Sequence, residues 1–314
     1  MHKNKFIRLP LWFFLSVLVL TGMALSSANA ADNATHYKPF VLAAIDKGQD
    51  MKTVVQSVRK KLTANGFDIV GSYMPYDSAT IIVVTNAALK QNASASDYGA
   101  FGAIQRVSVT KTADGIQVAY TNPVYMANAY QMKSDLNNVS SELTKALGHE
   151  KEFGSEEGLT AEDLRDYHYK WLMPYFTDRL NLASYYDYKT AIKTVEKNLK
   201  SNKAGVTQVY RVDLPGKQET VIGLKMPGKL GTECSGDKYI MSRIDFKKLK
   251  STAHLPYEIV INKGKVVALP AEFRIAINFP DLSMIGSNSF ASIMCAPDAY
   301  KTALTMVAGG DLDN

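Results

Sequence analysis

One stretch of this chain occurs twice, and the repeat constrains the fold more than any other feature of the sequence. Residues 50–65 and 187–202 align at a constant offset of 137, and seven of the sixteen aligned positions are identical. In both copies the apolar residues recur at the spacing of one buried helix face. Gly66 and Gly205 follow the two copies, as glycine commonly does at a helix end. The repeat therefore predicts two related domains, each built around one amphipathic helix.

Strand-like segments follow each copy of the repeated helix. The expected strands are residues 67–73, 79–85, 106–112 and 116–121 in the first half, and 206–212, 219–225, 258–262 and 273–278 in the second. The last pair is expected to form a hairpin with an insertion at residues 263–272. Helices and strands in this order, without regular βαβ alternation, favour an α+β fold with mixed or antiparallel sheets and packed helices.

The first thirty residues have the three parts of a signal peptide. Three basic residues precede an apolar stretch at 9–20, and Ala28-Asn29-Ala30 is a small-x-small cleavage site. The apolar stretch is short for a transmembrane helix, and an uncleaved membrane anchor is the alternative. We expect export to the periplasm and a mature chain that starts near Ala31, with no membrane span after cleavage.

The charge of the expected mature chain is close to balanced. The full chain carries a formal net charge of +6, and removal of Lys3, Lys5 and Arg8 with the leader leaves +3. So small a positive balance gives no electrostatic reason to expect nucleic-acid binding. Export also argues against a nucleic-acid partner.

Cys234 and Cys295 are the only two cysteines of the chain. In an oxidising compartment an even pair predicts a disulfide. In the loop-entropy model, closing a loop of this length stabilises the fold by about 4 kcal/mol. The alternative is a pair of thiols that holds a metal or a redox centre, but the chain has no Cys-x-x-Cys in its favour.

The sequence divides into four segments. They are a signal peptide (1–30), a first α+β unit with a following helix (31–147), a helical, aromatic-rich connector (148–186) and a second α+β unit (187–314). Residues 123–147 and 159–188 are expected to be helical, and the second of these stretches begins with a capping-box-like Thr160-Ala161-Glu162-Asp163.

A family resemblance rests on the order helix, glycine, strand, proline, strand, spacer, followed in the second half by Leu255-Pro256-Tyr257-Glu258-Ile259-Val260-Ile261. Gly231-Thr232-Glu233-Cys234 lies where a small-residue and cysteine element would fall. This pattern resembles the domain-of-unknown-function 302 family, in two tandem copies. The resemblance implies a small α+β domain in each half, and it implies no biochemical role.

The connector has the highest density of chemically useful side chains. Aromatic residues alternate there with charges and one histidine, and the expected ligand-binding residues are Arg165, His168, Tyr169, Trp171 and Tyr175. A cleft at the junction of duplicated domains is a common place for a ligand. The alternative is a packed interdomain segment whose rings are buried while their polar tips find partners.

No complete catalytic constellation occurs in the sequence. His149-Glu150 lacks the second histidine of a zinc-protease helix, so we assign no catalytic residue, metal ligand or cofactor. Two metal sites remain as alternatives: one at His168 with His149, Glu150 or Asp166, and a soft-metal site at Met284, Met294 and Met306.

Binding without catalysis is the function that these features favour. We expect an exported protein that binds a small molecule or an envelope protein at the junction of its two α+β units. One alternative is a hydrolase-like or metal-dependent enzyme that uses His168 and nearby acids, since general acid–base enzymes need no sequence motif. Another is a structural or assembly module of the cell envelope.

Overall fold

Strands and helices follow one another in two successive series, which the computed structural model describes over residues 34–312. The first series is β1 (Phe40–Asp46), α1 (Met51–Ala64), β2 (Asp68–Tyr76), β3 (Ala79–Thr85), α2 (Ala87–Ala95), β4 (Gln105–Thr112), β5 (Gly115–Thr121), α3 (Pro123–Ala129), α4 (Asn137–Leu147) and β6 (Lys151–Phe153). A short helix, α5 (Ala161–Arg165), comes next. The second series is β7 (Leu180–Ser184), α6 (Tyr188–Lys200), β8 (Thr207–Asp213), β9 (Glu219–Lys225), α7 (Asp237–Ile244), β10 (Tyr257–Asn262), β11 (Lys265–Ala268), α8 (Ala271–Asn278) and α9 (Ala296–Ala308). This mixture of helices and antiparallel sheets confirms the predicted α+β class.

The strands form two antiparallel sheets with a matching strand order. The first sheet runs β2-β3-β4-β5-β1-β6, and the second runs β8-β9-β10-β11-β7. In each sheet the strand before the repeated helix pairs with the second strand of the later hairpin. The strands after the repeated helices, β2 and β8, are edge strands, and both contain a register shift near their start. Apart from β6, the two sheets therefore connect their strands in the same way.

The repeated sequence forms α1 and α6, and both helices begin with the same cap. Asp50 accepts a hydrogen bond from the Thr53 N–H at 2.8 Å, and Asp187 accepts one from Thr190 at 2.7 Å. These bonds to backbone donors lower the pKa of both carboxyls. The buried positions also correspond: Val54, Val58 and Leu62 in α1, and Ala191, Val195 and Leu199 in α6. The identical residues of the repeat thus set where both helices begin and which face they bury.

Both sheets contribute to one hydrophobic core. Buried residues from β3, β4, β9 and β10 belong to the same cluster, and the described residues from His36 onward belong to one compact unit. No boundary between compact units therefore falls at residue 147 or 187. The edge strands approach closely, because a Cβ at Gly71 in β2 would lie 2.4 Å from the carbonyl oxygen of Val209 in β8. Only glycine permits this contact between the sheets.

A buried ionic cluster joins the two sheets. Arg106 is the second residue of β4 and Glu258 is the second residue of β10, and their Nη1 and Oε1 atoms are 2.8 Å apart. Arg274 of α8 donates from Nε to the other Glu258 oxygen at 3.3 Å, and the Tyr210 hydroxyl of β8 donates to Oε1 at 3.1 Å. All four side chains are buried. One carboxylate therefore balances two arginines in the interior.

Burial and charge act against each other in this cluster. Burial lowers the pKa of Arg106, but Glu258, Tyr130 and Tyr210 together outweigh burial, and the pKa is raised. Burial, and next the charge of Arg274, hold the pKa of His254 well below its usual range. This imidazole is therefore neutral at physiological pH, and its Nε2 lies 3.2 Å from Arg274 Nη1. A neutral His254 adds no third positive charge to the interior.

The two cysteines form the predicted disulfide. The sulfurs of Cys234 and Cys295 are 2.07 Å apart, and their Cα atoms are 5.8 Å apart. Cys234 lies in the 3₁₀ turn Glu233–Ser235 before α7, and Cys295 is the N-cap residue of α9. The bond ties the start of α9 to the start of α7.

The prediction that residues 273–278 form the second strand of the later hairpin is wrong. The partner of β10 is β11, joined by a tight turn with Lys263 at φ 53°, and residues 271–278 form α8. The apolar sequence of α8 is typical of a strand, but α8 is buried on nearly every face, so it shows no amphipathic helical period. The predicted helical stretch 123–147 is also divided, because residues 130–136 separate α3 from α4.

The connector is mostly not helical, which corrects the prediction for residues 148–186. Its capping box is present, since the Thr160 side chain accepts from the Asp163 N–H and Asp163 accepts from the Thr160 N–H. The helix nevertheless ends at Arg165 after five residues. Leu172 then adopts a positive φ of 67°, which a helix cannot contain. Tertiary contacts of the tyrosines, described below, replace the expected helical turns.

The predicted signal peptide, residues 1–30, lies outside the described residues. Among the helices of residues 34–312, none has the length and apolar character that a membrane crossing requires.

Candidate functional site

An open groove of about 880 Å³ follows the connector. One wall comes from residues 155–170 and the other from the loop 280–283 after α8. Its charged lining residues are Glu156, Glu157, Glu162, Asp163, Asp166 and Asp281, with Lys170. We call it the acidic groove. Its volume lies in the range of small-molecule sites, roughly 300–1,000 Å³.

Two tyrosines fasten the connector to the second series. The Tyr167 hydroxyl donates to the Ala276 carbonyl of α8 at 3.2 Å. The Tyr169 hydroxyl donates to the Leu282 carbonyl, and its ring lies 4.8 Å from that of Phe290. Burial raises the pKa of both tyrosines, so both stay protonated and continue to donate. These bonds hold the two walls of the acidic groove at a fixed separation.

Asp281 fixes the acidic groove from the opposite wall. Its carboxylate accepts from Ser155 Oγ at 3.0 Å and from the Glu156 N–H at 2.8 Å, and Lys247 Nζ lies 3.3 Å away. Asp163 is likewise engaged, in the cap of α5. Both carboxylates therefore serve the walls and are not free for a ligand.

The other acidic side chains of the groove have no partner within residues 34–312. They are Glu156, Glu157, Glu162 and Asp166, all exposed, and no hydrogen bond or ion pair engages their carboxylates. The lining contains one lysine, Lys170, whose Nζ lies 5.4 Å from the ring centroid of Tyr169. Carboxylates that face one cleft without counter-ions produce a negative potential that attracts cations.

His168 lies between the acidic groove and a second recess of about 570 Å³. Its ring packs against Tyr175 at a centroid distance of 4.5 Å. Its Nδ1 is buried and has no hydrogen-bond partner in the described chain, a condition that costs about 1–3 kcal/mol. No described carboxylate orients this imidazole, as one would in a nucleophile–base pair.

The structure brings four of the five predicted ligand residues to this region. His168 and Tyr169 line the acidic groove, whereas Trp171 and Tyr175 join His168 in the second recess. Trp171 is 85% exposed, so the interpretation as a packed interdomain ring does not hold for it.

The fifth predicted residue, Arg165, lies elsewhere. Its guanidinium donates to Asn128 Oδ1 at 3.1 Å and to the Met132 carbonyl at 2.8 Å. It lines neither recess. Arg165 therefore attaches the connector to the first series, whereas Tyr167 and Tyr169 attach it to the second series.

Sequence reasoning misses most of the acidic lining. One local signal was available, because Glu156 and Glu157 stand between Gly154 and Gly158, an arrangement typical of an exposed turn. The far wall has no such signal. Tyr169 and Leu282 are 113 positions apart in sequence, and only the tertiary fold brings them together.

No group of three or more His, Cys, Asp or Glu side chains in the described part of the chain is arranged to hold a metal ion. His149 and Glu150 line neither recess that contains His168. Asp166 lines the acidic groove together with His168, so the structure brings together only that pair of the ligands of the first alternative metal site.

The sequence matches no protein-family model, and we found no curated protein and no solved structure with significant similarity to it. The resemblance to the domain-of-unknown-function 302 family therefore stays a prediction.

Proposed function

We propose that this is an exported binding protein whose acidic groove takes a small organic cation. The observation that carries the proposal is the set of four unpaired carboxylates in a groove of about 880 Å³. A ligand with two or more ammonium groups, of the polyamine class, matches both the charge and the volume. Tyr169 would supply an aromatic wall beside the bound cation.

Electrostatics set the expected strength and its dependence on salt. An exposed ion pair typically contributes about 0.2–1 kcal/mol, so three such pairs correspond to roughly a tenfold effect on the dissociation constant. Interactions of this kind are screened when the Debye length falls to a few ångströms at high ionic strength. Binding should therefore be measurable at low salt and weaken steeply as salt is added.

Binding is better supported than catalysis. His168 has no orienting acid among its described contacts, and its Nδ1 is buried. The carboxylates of the groove are exposed and unpaired, which suits attraction of a cation more than proton transfer from a tuned acid.

We also propose that the protein is exported to the periplasm and that its two series arose by duplication of one α+β unit. The basic, apolar and small-x-small parts of residues 1–30 support delivery to the periplasm. The matching strand orders and the equivalent caps at Asp50 and Asp187 support duplication of one α+β unit. In this account the acidic groove belongs to the connector, so it has no counterpart within either copy.

Spermidine titration by isothermal calorimetry at low salt tests the proposal. We expect saturable binding, weakened about tenfold in the triple variant Glu157→Gln, Glu162→Gln, Asp166→Asn. A control triple variant, Asp77→Asn, Asp114→Asn, Glu150→Gln, removes the same charge from other surfaces and should bind as the wild type does. Equal weakening in both triple variants would show a non-specific charge effect and refute the site, as would the absence of binding to the wild type.

A further inference from the structure

Exposed apolar side chains are concentrated on one surface. Ten large apolar side chains in residues 34–312 are exposed by 39% to 100%, and five of them lie in two segments: Trp171, Leu172, Met284, Ile285 and Met294. Exposed apolar residues scattered singly are ordinary, but a contiguous cluster marks an interaction surface. Trp171 and Met294 are 85% and 78% exposed, so each leaves nearly its whole side chain in water.

Met284 and Met294 of this set line a second, apolar groove. It has a volume of about 380 Å³ and is lined by Met173, Met284, Met294 and Phe290, among others. We call it the methionine groove. Met173 and Glu272 also line the recess that contains Trp171 and Leu172, so the two hollows form one continuous surface. Methionine is flexible and polarisable, and it is common where one surface accommodates apolar side chains of a partner.

The charges of the methionine groove specify its occupant. Its charged lining residues are Glu272 at the start of α8 and Asp298 in the first turn of α9, both acidic. An apolar floor with an acidic rim matches a segment that has apolar residues on one face and Lys or Arg beside them. An acidic segment would meet like charges, and a purely apolar segment would leave both carboxylates desolvated without partners.

The floor is held in place by the fold. Phe290 packs against Tyr169, whose hydroxyl is bonded to the Leu282 carbonyl. Met294 directly precedes Cys295, which is bonded to Cys234. The backbone on both sides of the methionine groove is therefore anchored, while the methionine side chains remain free to adapt.

We propose that the methionine groove is a docking site for a basic amphipathic helical segment of a partner protein. Apolar residues of the segment enter between Met173, Met284 and Met294, and its basic residues face Glu272 and Asp298. This site is separate from the carboxylates of the acidic groove, and the proposal does not depend on the cation ligand.

A labelled amphipathic Leu/Lys peptide, followed by fluorescence polarisation, tests the proposal. Met284→Gln with Met294→Gln should weaken its binding about tenfold, as loss of central apolar contacts does in other interfaces. Glu272→Gln with Asp298→Asn should weaken it several-fold at low salt. Met74→Gln is the matched control, because Met74 is 52% exposed on β2 and lies outside the groove; binding to this variant should be unchanged.

Trp171 gives a second, independent readout. The only other tryptophan, Trp12, lies in the predicted signal peptide, so the emission of the mature chain comes from Trp171 and should shift to shorter wavelength when the peptide covers it. Equal binding of a Leu/Glu peptide of the same length, equal loss in Met74→Gln, or unchanged Trp171 emission at saturation would each overturn the proposal. None of these outcomes bears on spermidine binding by the acidic groove.

Discussion

Replacement of Glu258 by Gln should cost this protein a large part of its stability. The carboxylate lies 2.8 Å from Arg106 and 3.3 Å from Arg274, and all three side chains are 1–2% exposed. Glu258→Gln keeps the volume but leaves two buried guanidinium groups without a counter-charge. Removal of one partner from a buried pair costs about 3–5 kcal/mol, against a total stability of about 5–15 kcal/mol for a typical protein.

Urea denaturation followed by circular dichroism gives the free energy of unfolding for this comparison. Asp114→Asn is the matched control, because it also replaces a carboxylate by an amide and its partner Lys248 is 79% exposed. That surface pair should contribute less than about 1 kcal/mol. If Glu258→Gln loses no more stability than Asp114→Asn, the buried cluster does not hold the two sheets together in the way described.

Three further predictions follow from the interior and the termini. The free energy of unfolding should fall by up to about 4 kcal/mol per carboxyl between pH 4 and 7, because burial chiefly raises the pKa of Asp237 and of Asp245 from 3.8 to about 7, whereas the unfolded chain ionises near 3.8. Asp237→Asn should remove the contribution of one carboxyl in urea titrations at several pH values, and an unchanged slope would contradict it. Replacement of Cys234 and Cys295 by Ser should lower stability by about 4 kcal/mol, and labelling of the denatured, unreduced wild type should detect no thiol. N-terminal sequencing of the exported protein should begin at Ala31; a membrane-bound chain that begins at Met1 would contradict cleavage.

Local signals in the sequence suffice for most of the fold. The Asp caps and buried stripes of α1 and α6 can be read directly from the repeat, and the cysteine pair is predictable from the compartment and the even count. By contrast, α8 follows no local rule, because burial on nearly all sides removes the helical period from its sequence. The prediction of a helical connector fails for another reason. Its helix is capped correctly, but bonds from Tyr167 and Tyr169 to distant carbonyls determine the path of the chain after Arg165.

The candidate site is predictable only in part, for the same physical reason. Aromatic density draws attention to His168, Tyr169, Trp171 and Tyr175, and all four lie at the recesses of the connector. The loop 280–283, which forms the far wall, is brought there by tertiary contacts that no local pattern encodes. Arg165 is the opposite case. The sequence places it among the expected ligand-binding residues, but its guanidinium donates to a backbone carbonyl of the first series.

Native mass spectrometry of the protein, purified under mild conditions from the cells that produce it, is the most direct test of a cation site in the acidic groove. We expect a retained small cationic adduct on the wild type. The same adduct should be absent from the variant Glu157→Gln, Glu162→Gln, Asp166→Asn and present on the control Asp77→Asn, Asp114→Asn, Glu150→Gln. A bare wild-type protein that also fails to take up added spermidine, or an adduct retained equally by both triple variants, would contradict a cation site in the acidic groove.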